Sequence, residues 1–269
     1  MDDGRRQAWQ EWCDERVASV RAIPGNLALV AYQPVGDAPE PIQGIDGSKV
    51  RRAADRPGVY LTAKRELGVT VGDDPVDGEI FVPRAMPVDP VFIRHGRRWM
   101  DAFSLDGSDY ELRIYDEDAD NLAAFDDIEV YDYDPDAALV GHFEAFEAVG
   151  QVAWEFTRVE DSGHTKNVPG TVVVMVGGSE RRLSAFLDGD NLVLVFADGT
   201  TGVESYGPGR FLVLPQPSDD GRIEVDFNRA FIPPCGFSDF YSCPVPPPEN
   251  RFGIPIRAGE QRVRWRTGS

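Results

Sequence analysis

Between Arg5 and Ile23 the apolar residues Trp9, Trp12, Cys13, Val17 and Val20 fall three or four positions apart, the stripe that one face of an amphipathic helix requires. Pro24-Gly25 ends the pattern. It predicts a helix that packs Trp9 and Trp12 against the chain's own core. Beyond Gly25 the helical period gives way to short runs rich in β-branched and aromatic residues, at 27–32, 58–62, 79–82, 110–115, 128–133, 140–146, 152–156, 170–176, 192–196, 211–214 and 222–227. Turn dipeptides such as Asp106-Gly107, Asp188-Gly189 and Asp198-Gly199 punctuate them. The pattern predicts a mainly β protein: an antiparallel β-sandwich or partly open barrel preceded by an N-terminal amphipathic helix. There is no sustained internal repeat.

The acidic, proline-interrupted stretch Tyr131-Asp-Tyr-Asp-Pro-Asp136 does not continue a strand. It therefore divides the reading into a helix (1–25), an N-terminal β-layer (26–136) and a C-terminal β-layer (137–269), which can still share one continuous core.

Composition narrows the partners. At 269 residues, with 42% hydrophobic and 10% aromatic positions, the chain can bury a sizeable core. Its 46 acidic against 27 basic residues give a net charge of −19, which repels phosphate backbones and argues against nucleic acid as a partner. No apolar run approaches the roughly 18 residues of a membrane span, and Met1-Asp-Asp-Gly-Arg-Arg lacks the apolar core of a signal peptide. The expected location is the cytoplasm, where the three cysteines stay mostly as thiols.

One segment is unlike the rest. Seven prolines lie between Pro233 and Pro255, so that backbone is held by fixed φ angles rather than by ladder hydrogen bonds. The blocks Asp226-Phe-Asn-Arg-Ala, Pro233-Pro-Cys235, Cys243-Pro and Pro246-Pro-Pro-Glu-Asn-Arg251 resemble the C-terminal signature of the family of unknown function DUF1684. So does Asp198-Gly-Thr-Thr-Gly-Val-Glu-Ser-Tyr-Gly-Pro-Gly-Arg210, which resembles the family's hairpin ending in Glu-x-Tyr-Gly-x-Gly-Arg. The resemblance implies no catalytic residues, since none are established for the family.

The residues themselves nominate a site. Glu204, Tyr206 and Arg210 sit on the glycine-rich connection, where close backbone approach is possible. Asp226, Asn228, Cys235, Glu249 and Asn250 belong to the proline-rich segment and its approach. If the two segments meet, they wall a cleft for a small polar or anionic molecule, with Arg210 clamping a carboxylate or phosphate. Two other readings stand beside this one. In the first, a metal-independent hydrolase or lyase uses Glu204, Asp226 or Glu249 as general acid or base. In the second, a structural or interaction protein uses Arg210 to satisfy Glu204 or Glu249, while Asp226, Asn228 and Asn250 cap turns.

No cofactor is implied: P-loop, nucleophile-elbow and His-Glu-x-x-His patterns are missing from the sequence. Cys235 and Cys243 are eight apart, a spacing that predicts no metal site; buried thiols come first, a local disulfide next, a nucleophile or metal ligand last. The series Asp116-x-Asp118-x-Asp120 imitates a calcium loop, but Asn121 stands where glycine is required and Asp127 where glutamate is.

Overall fold

The computed structural model describes residues 2–85, 90–105, 107–158, 161 and 163–266. The chain divides into two compact units, one made of residues 21–123 and the other of residues 1–20 together with 124–269. Asp106 of the expected Asp106-Gly107 turn lies outside the described residues.

Helix α1 (Asp2–Arg21) carries the predicted stripe. Trp9 and Val20 are buried, whereas Trp12, Cys13 and Val17 are half-buried on the same side. Trp9 Nε1 donates to the carbonyl of Asn228 at 3.1 Å, and its ring centroid lies 5.7 Å from that of Tyr133. Arg16 donates to the Glu260 carboxylate at 2.7 Å and to the Ile232 carbonyl at 3.2 Å. The helix is thus fixed by apolar burial and by two polar anchors, to residues more than 200 positions away.

Among the described residues ten strands build the unit of residues 21–123: β1 (Leu29–Val35), β2 (Glu40–Ile42), β3 (Ile45–Arg52), β4 (Gly58–Ala63), β5 (Thr70–Val71), β6 (Asp74–Pro75), β7 (Gly78–Pro83), β8 (Ile93–His95), β9 (Arg98–Phe103) and β10 (Tyr110–Asp116). They form two antiparallel sheets, ordered β1-β10-β9-β8-β5-β6 and β2-β3-β4-β7. In the first sheet Leu112 pairs with Ala102 and Ile114 with Met100, so residues two apart face one core with Leu61, Val82 and Ile93.

The described residues of the unit 1–20 and 124–269 add eight strands: β11 (Phe125–Val130), β12 (Ala138–Ala153), β13 (Thr165–Val176), β14 (Ser179–Asp188), β15 (Asn191–Phe196), β16 (Arg210–Leu214), β17 (Arg222–Asp226) and β18 (Glu260–Trp265). Six form an antiparallel sheet ordered β16-β15-β14-β13-β12-β17, and β11 pairs with β18. The Asp188-Gly189 turn closes the β14–β15 hairpin, with Gly189 at φ +59°, a conformation that glycine adopts without a side-chain clash. The six-stranded sheet curls until its two edge strands, β16 and β17, border one cleft without a ladder between them. Its core gathers Leu183, Leu194, Phe196, Leu212, Val225 and Phe227.

The fold is therefore mostly antiparallel β with one long N-terminal helix. The division between units falls at residues 123–124 rather than in the Tyr131–Asp136 stretch, and α1 is grouped with residues 124–269. The physical reason is the β11–β18 ladder, which ties residues before that stretch to the end of the chain. Asp134-Pro135 does break the strand, since the Asp134 side chain caps a short 3₁₀ turn by accepting from Asp136 N at 3.0 Å.

Candidate functional site

The glycine-rich connection between β15 and β16 lies against the proline-rich segment. Ala197 N donates to Asn250 O at 3.1 Å and Phe252 N returns a bond to Ala197 O at 2.9 Å. Gly209 has φ +104°, and a β-carbon there would come within 2.7 Å of both Pro246 and the Phe196 carbonyl. Only glycine fits, because a side chain would separate the two segments. The contact supplies a rigid floor of irregular backbone whose polar groups side chains must satisfy.

Arg210 is the largest of those side chains and is fully buried. Its Nη1 donates to the carbonyls of Ala258 (2.5 Å) and Glu260 (3.2 Å), and its Nη2 to Ile256 O (2.9 Å) and Asp198 Oδ1 (3.3 Å). The guanidinium lies 5.2 Å from the Phe196 ring centroid. Burial lowers its pKa, and the Asp198 carboxylate works against that shift. Asp198 in turn accepts from Ile256 N at 2.6 Å and from the hydroxyls of Thr200 and Thr201. This internal network, which uses both terminal nitrogens of the guanidinium and leaves only Nε without a partner, fastens β16 to the segment entering β18. It corrects the expected anion clamp: the charge partner is Asp198, not Glu204 or Glu249, and the fork faces carbonyls.

The other nominated residues divide into separate tasks. Glu204 is paired with Arg257 at 2.7 Å on the surface, and that guanidinium holds its carboxyl below the usual range. Asp226 caps a 3₁₀ turn by accepting from Asn228 N at 3.0 Å and from Asn228 Nδ2 at 2.9 Å. Asn228, fully buried, exchanges bonds with the backbone of Asp134 at 2.8 and 2.7 Å. Glu249 accepts from the Ser184 hydroxyl at 2.5 Å. Asn250, also fully buried, accepts from Ser184 N and donates to Ser184 O and Val195 O. Its side chain continues the ladder where the prolines have no N–H to offer.

Tyr206 and Cys235 do come together, with the phenol O–H donating to the Cys235 sulfur at 3.6 Å. They stand apart from Arg210, whose bonds all run to Asp198 and residues 256–260. The imitation calcium loop is spent on arginines, Asp116 pairing with Arg98 at 3.2 Å and Asp118 with Arg97 at 2.6 Å. Among the described residues no three His, Cys, Asp or Glu side chains gather as a metal site, and no helix is long and apolar enough to cross a membrane.

A feature the sequence reading missed is the cleft of about 530 Å3 beside the open seam of the curled sheet. Its walls come from α1 (Arg5 and Ala8), from β16 and the residues that follow it, and from Glu224, Asp226 and Arg229. Arg5 and Arg229 are exposed and make no ion pair or hydrogen bond among the described residues. Arg229 stands in the Asp-Phe-Asn-Arg-Ala block, so a signal existed; Arg5, a charged residue one turn before Trp9, gave none.

The unit of residues 1–20 and 124–269 is thus a curled antiparallel sheet, fastened by a buried Arg–Asp network and flanked by an N-terminal helix. The chain belongs to the family described as protein of unknown function DUF1684, whose profile matches residues 123–261. It is similar to an uncharacterised protein of Haloarcula marismortui solved in solution by NMR: 34% identical, over 51% of this chain and 77% of that one, with a TM-score of 0.42. No curated protein matches it.

Proposed function

We propose that the unit formed by residues 1–20 and 124–269 is a binding module for a small polar ligand with an anionic group, held in the cleft between α1 and the seam of the curled sheet. The observation that supports this reading is the pair of guanidiniums, Arg5 and Arg229, lining one cleft without an ion pair or side-chain hydrogen bond among the described residues. A cation left unpaired on a surface of net charge −19 is unusual, because acidic side chains abound to neutralise it. The same cleft carries the carboxylates of Asp190, Glu224 and Asp226. A doubly charged anion would meet repulsion there, whereas a zwitterion such as an amino acid or short peptide finds a partner for each end. The reading moves the ligand away from Arg210, which is fully buried and whose terminal nitrogens already donate to Asp198 and to the carbonyls of residues 256–260. The hydrolase or lyase reading gains nothing from Glu204, because a carboxyl held low by Arg257 is a weak base at neutral pH. The cytoplasm suits the three unbridged thiols.

Titration calorimetry with a panel of amino acids, dipeptides, phosphate and citrate tests the proposal. A zwitterion should bind, and Arg229→Ala should abolish its heat while leaving the melting temperature unchanged. Binding indifferent to both Arg5→Ala and Arg229→Ala, or no binding by any member, would sink the idea.

A further inference from the structure

Cys235 and Cys243 sit eight residues apart on backbone that forms no strand, yet the structure holds their sulfurs together. Cys235 belongs to the 3₁₀ turn Pro234–Gly236, and its N–H donates to Cys243 Sγ at 3.3 Å. The Cys243 side chain also hydrogen-bonds to that of Cys235. The Tyr206 hydroxyl donates to Cys235 Sγ from the glycine-rich connection, and Cys243 N donates to Thr157 Oγ1 at 3.0 Å. Cys243 is buried, whereas Cys235 is partly open to solvent. Cys235 is thus partly open and meets donors at its sulfur, while the sulfur of the buried Cys243 sits against the Cys235 backbone amide. Neither is bridged.

We propose that Cys235 and Cys243 are a reversible dithiol–disulfide pair, in which Cys235 is the sulfur attacked by peroxide-class oxidants and Cys243 is the resolving thiol. In the first step the Cys235 thiolate attacks one oxygen of a hydroperoxide. An S–O bond forms, the O–O bond breaks, and the departing alkoxide or hydroxide takes up a proton, leaving a sulfenic acid. In the second step the Cys243 sulfur attacks the Cys235 sulfur. The S–S bond forms, the S–O bond breaks, and the hydroxyl leaves with the Cys243 proton as water. Over both steps the pair loses two electrons and two protons, the peroxide is reduced to an alcohol (or water) plus water, and two equivalents of a small thiol restore the pair.

The surroundings favour Cys235 for the first step. Hydrogen bonds from the Cys243 and Tyr206 side chains hold its thiol below the ordinary range, against its own burial. Tyr206 is held in its protonated, donating form by burial and by the neighbouring Cys235 charge. The third thiol, Cys13, is an internal control: burial and the Glu260 carboxylate push it up to about 12, so it carries almost no thiolate at neutral pH.

The test uses the purified full chain treated with hydrogen peroxide, followed by thiol counting and non-reducing peptide mapping. Thiols counted after unfolding should fall from three to one, the peptides of Cys235 and Cys243 should become linked, and dithiothreitol should restore all three. With limiting iodoacetamide, Cys235 should be alkylated at least about tenfold faster than Cys13. In Cys243→Ser the sulfenic acid at Cys235 should persist and be trapped by dimedone. Both wild-type readouts stand even if that variant folds poorly. Linkage through Cys13, oxidation only between molecules, or alkylation of Cys235 no faster than Cys13 would overturn the proposal.

Discussion

Replacing Arg210 with alanine removes the centre of the network beneath the glycine-rich connection. Four hydrogen bonds go at once, leaving the carbonyls of Ile256, Ala258 and Glu260 short of a donor and Asp198 without its countercharge. Each buried polar group left unsatisfied costs about 1–3 kcal/mol, and breaking a buried ion pair from one side costs about 3–5 kcal/mol in total. These terms describe overlapping losses, and Asp198 keeps four other donors. The expected loss is therefore about 4 kcal/mol, near the middle of the ion-pair range. With a urea slope of about 2 kcal/mol/M for a unit of this size, the midpoint should fall by roughly 2 M. Tryptophan fluorescence is a suitable readout, because Trp9, Trp12, Trp154 and Trp265 all lie in the affected unit and only Trp99 lies in the other. Arg210→Lys should recover part of the loss, since a single ammonium keeps the charge but cannot span the acceptors that the two terminal nitrogens reach. A midpoint shift below about 0.5 M for the alanine variant would refute the reasoning, because the network would then contribute little beyond ordinary packing.

Two further outcomes follow from buried polar groups elsewhere. Asp101 on β9 has one carboxyl oxygen without a partner, and burial raises its pKa from 3.8 to about 6, against the Arg113 charge. The folded state thus binds more protons than the unfolded state between about pH 4 and 6, and stability falls as pH rises through that window, by roughly 3 kcal/mol in total. Asp101→Asn should flatten this slope in pH-dependent thermal melts and raise stability at neutral pH, and a variant less stable than wild type at both pH 4 and neutral pH would contradict the account. Asn250→Ala should cost about 3 kcal/mol by losing bonds to Ser184 and Val195. Asn250→Asp should cost more in the same denaturation assay, because it turns two donors into a buried charge facing carbonyls; equal or smaller loss would count against the bonding described.

The sequence was informative where apolar periodicity and burial agree. The α1 stripe and the runs that became β4, β7, β10, β13, β15 and β16 are read within a few residues of their observed bounds. It was silent where a strand earns its place by pairing. The strands β3, with Asp46, Lys49, Arg51 and Arg52, and β14, with Glu180, Arg181 and Arg182, present too many charges for an alternating pattern to stand out. The run at 152–156 was not a separate strand, because β12 ends at Ala153. At the site, the sequence marked Arg210 and Asn250 as unusual but could not say that their partners would be the chain's own carbonyls. Spacing along the chain carries no information about which acceptors a buried fork meets, and the seam cleft arises only when two distant edge strands curl toward each other.

Helix α1 is made long before the residues that complete its packing. Its anchor at Glu260 lies 244 residues downstream of Arg16, and at roughly 5–20 residues per second that interval is on the order of 10–50 s. Residues 21–123 are finished well before then and carry all the strands of their own two sheets. The ribosome therefore holds a nascent chain whose later-made sheet lacks its helix and whose helix shows Trp9 to water, a window in which a chaperone or a second nascent chain can compete for the stripe. The order of synthesis, not the stability of the finished molecule, sets how long that competition lasts.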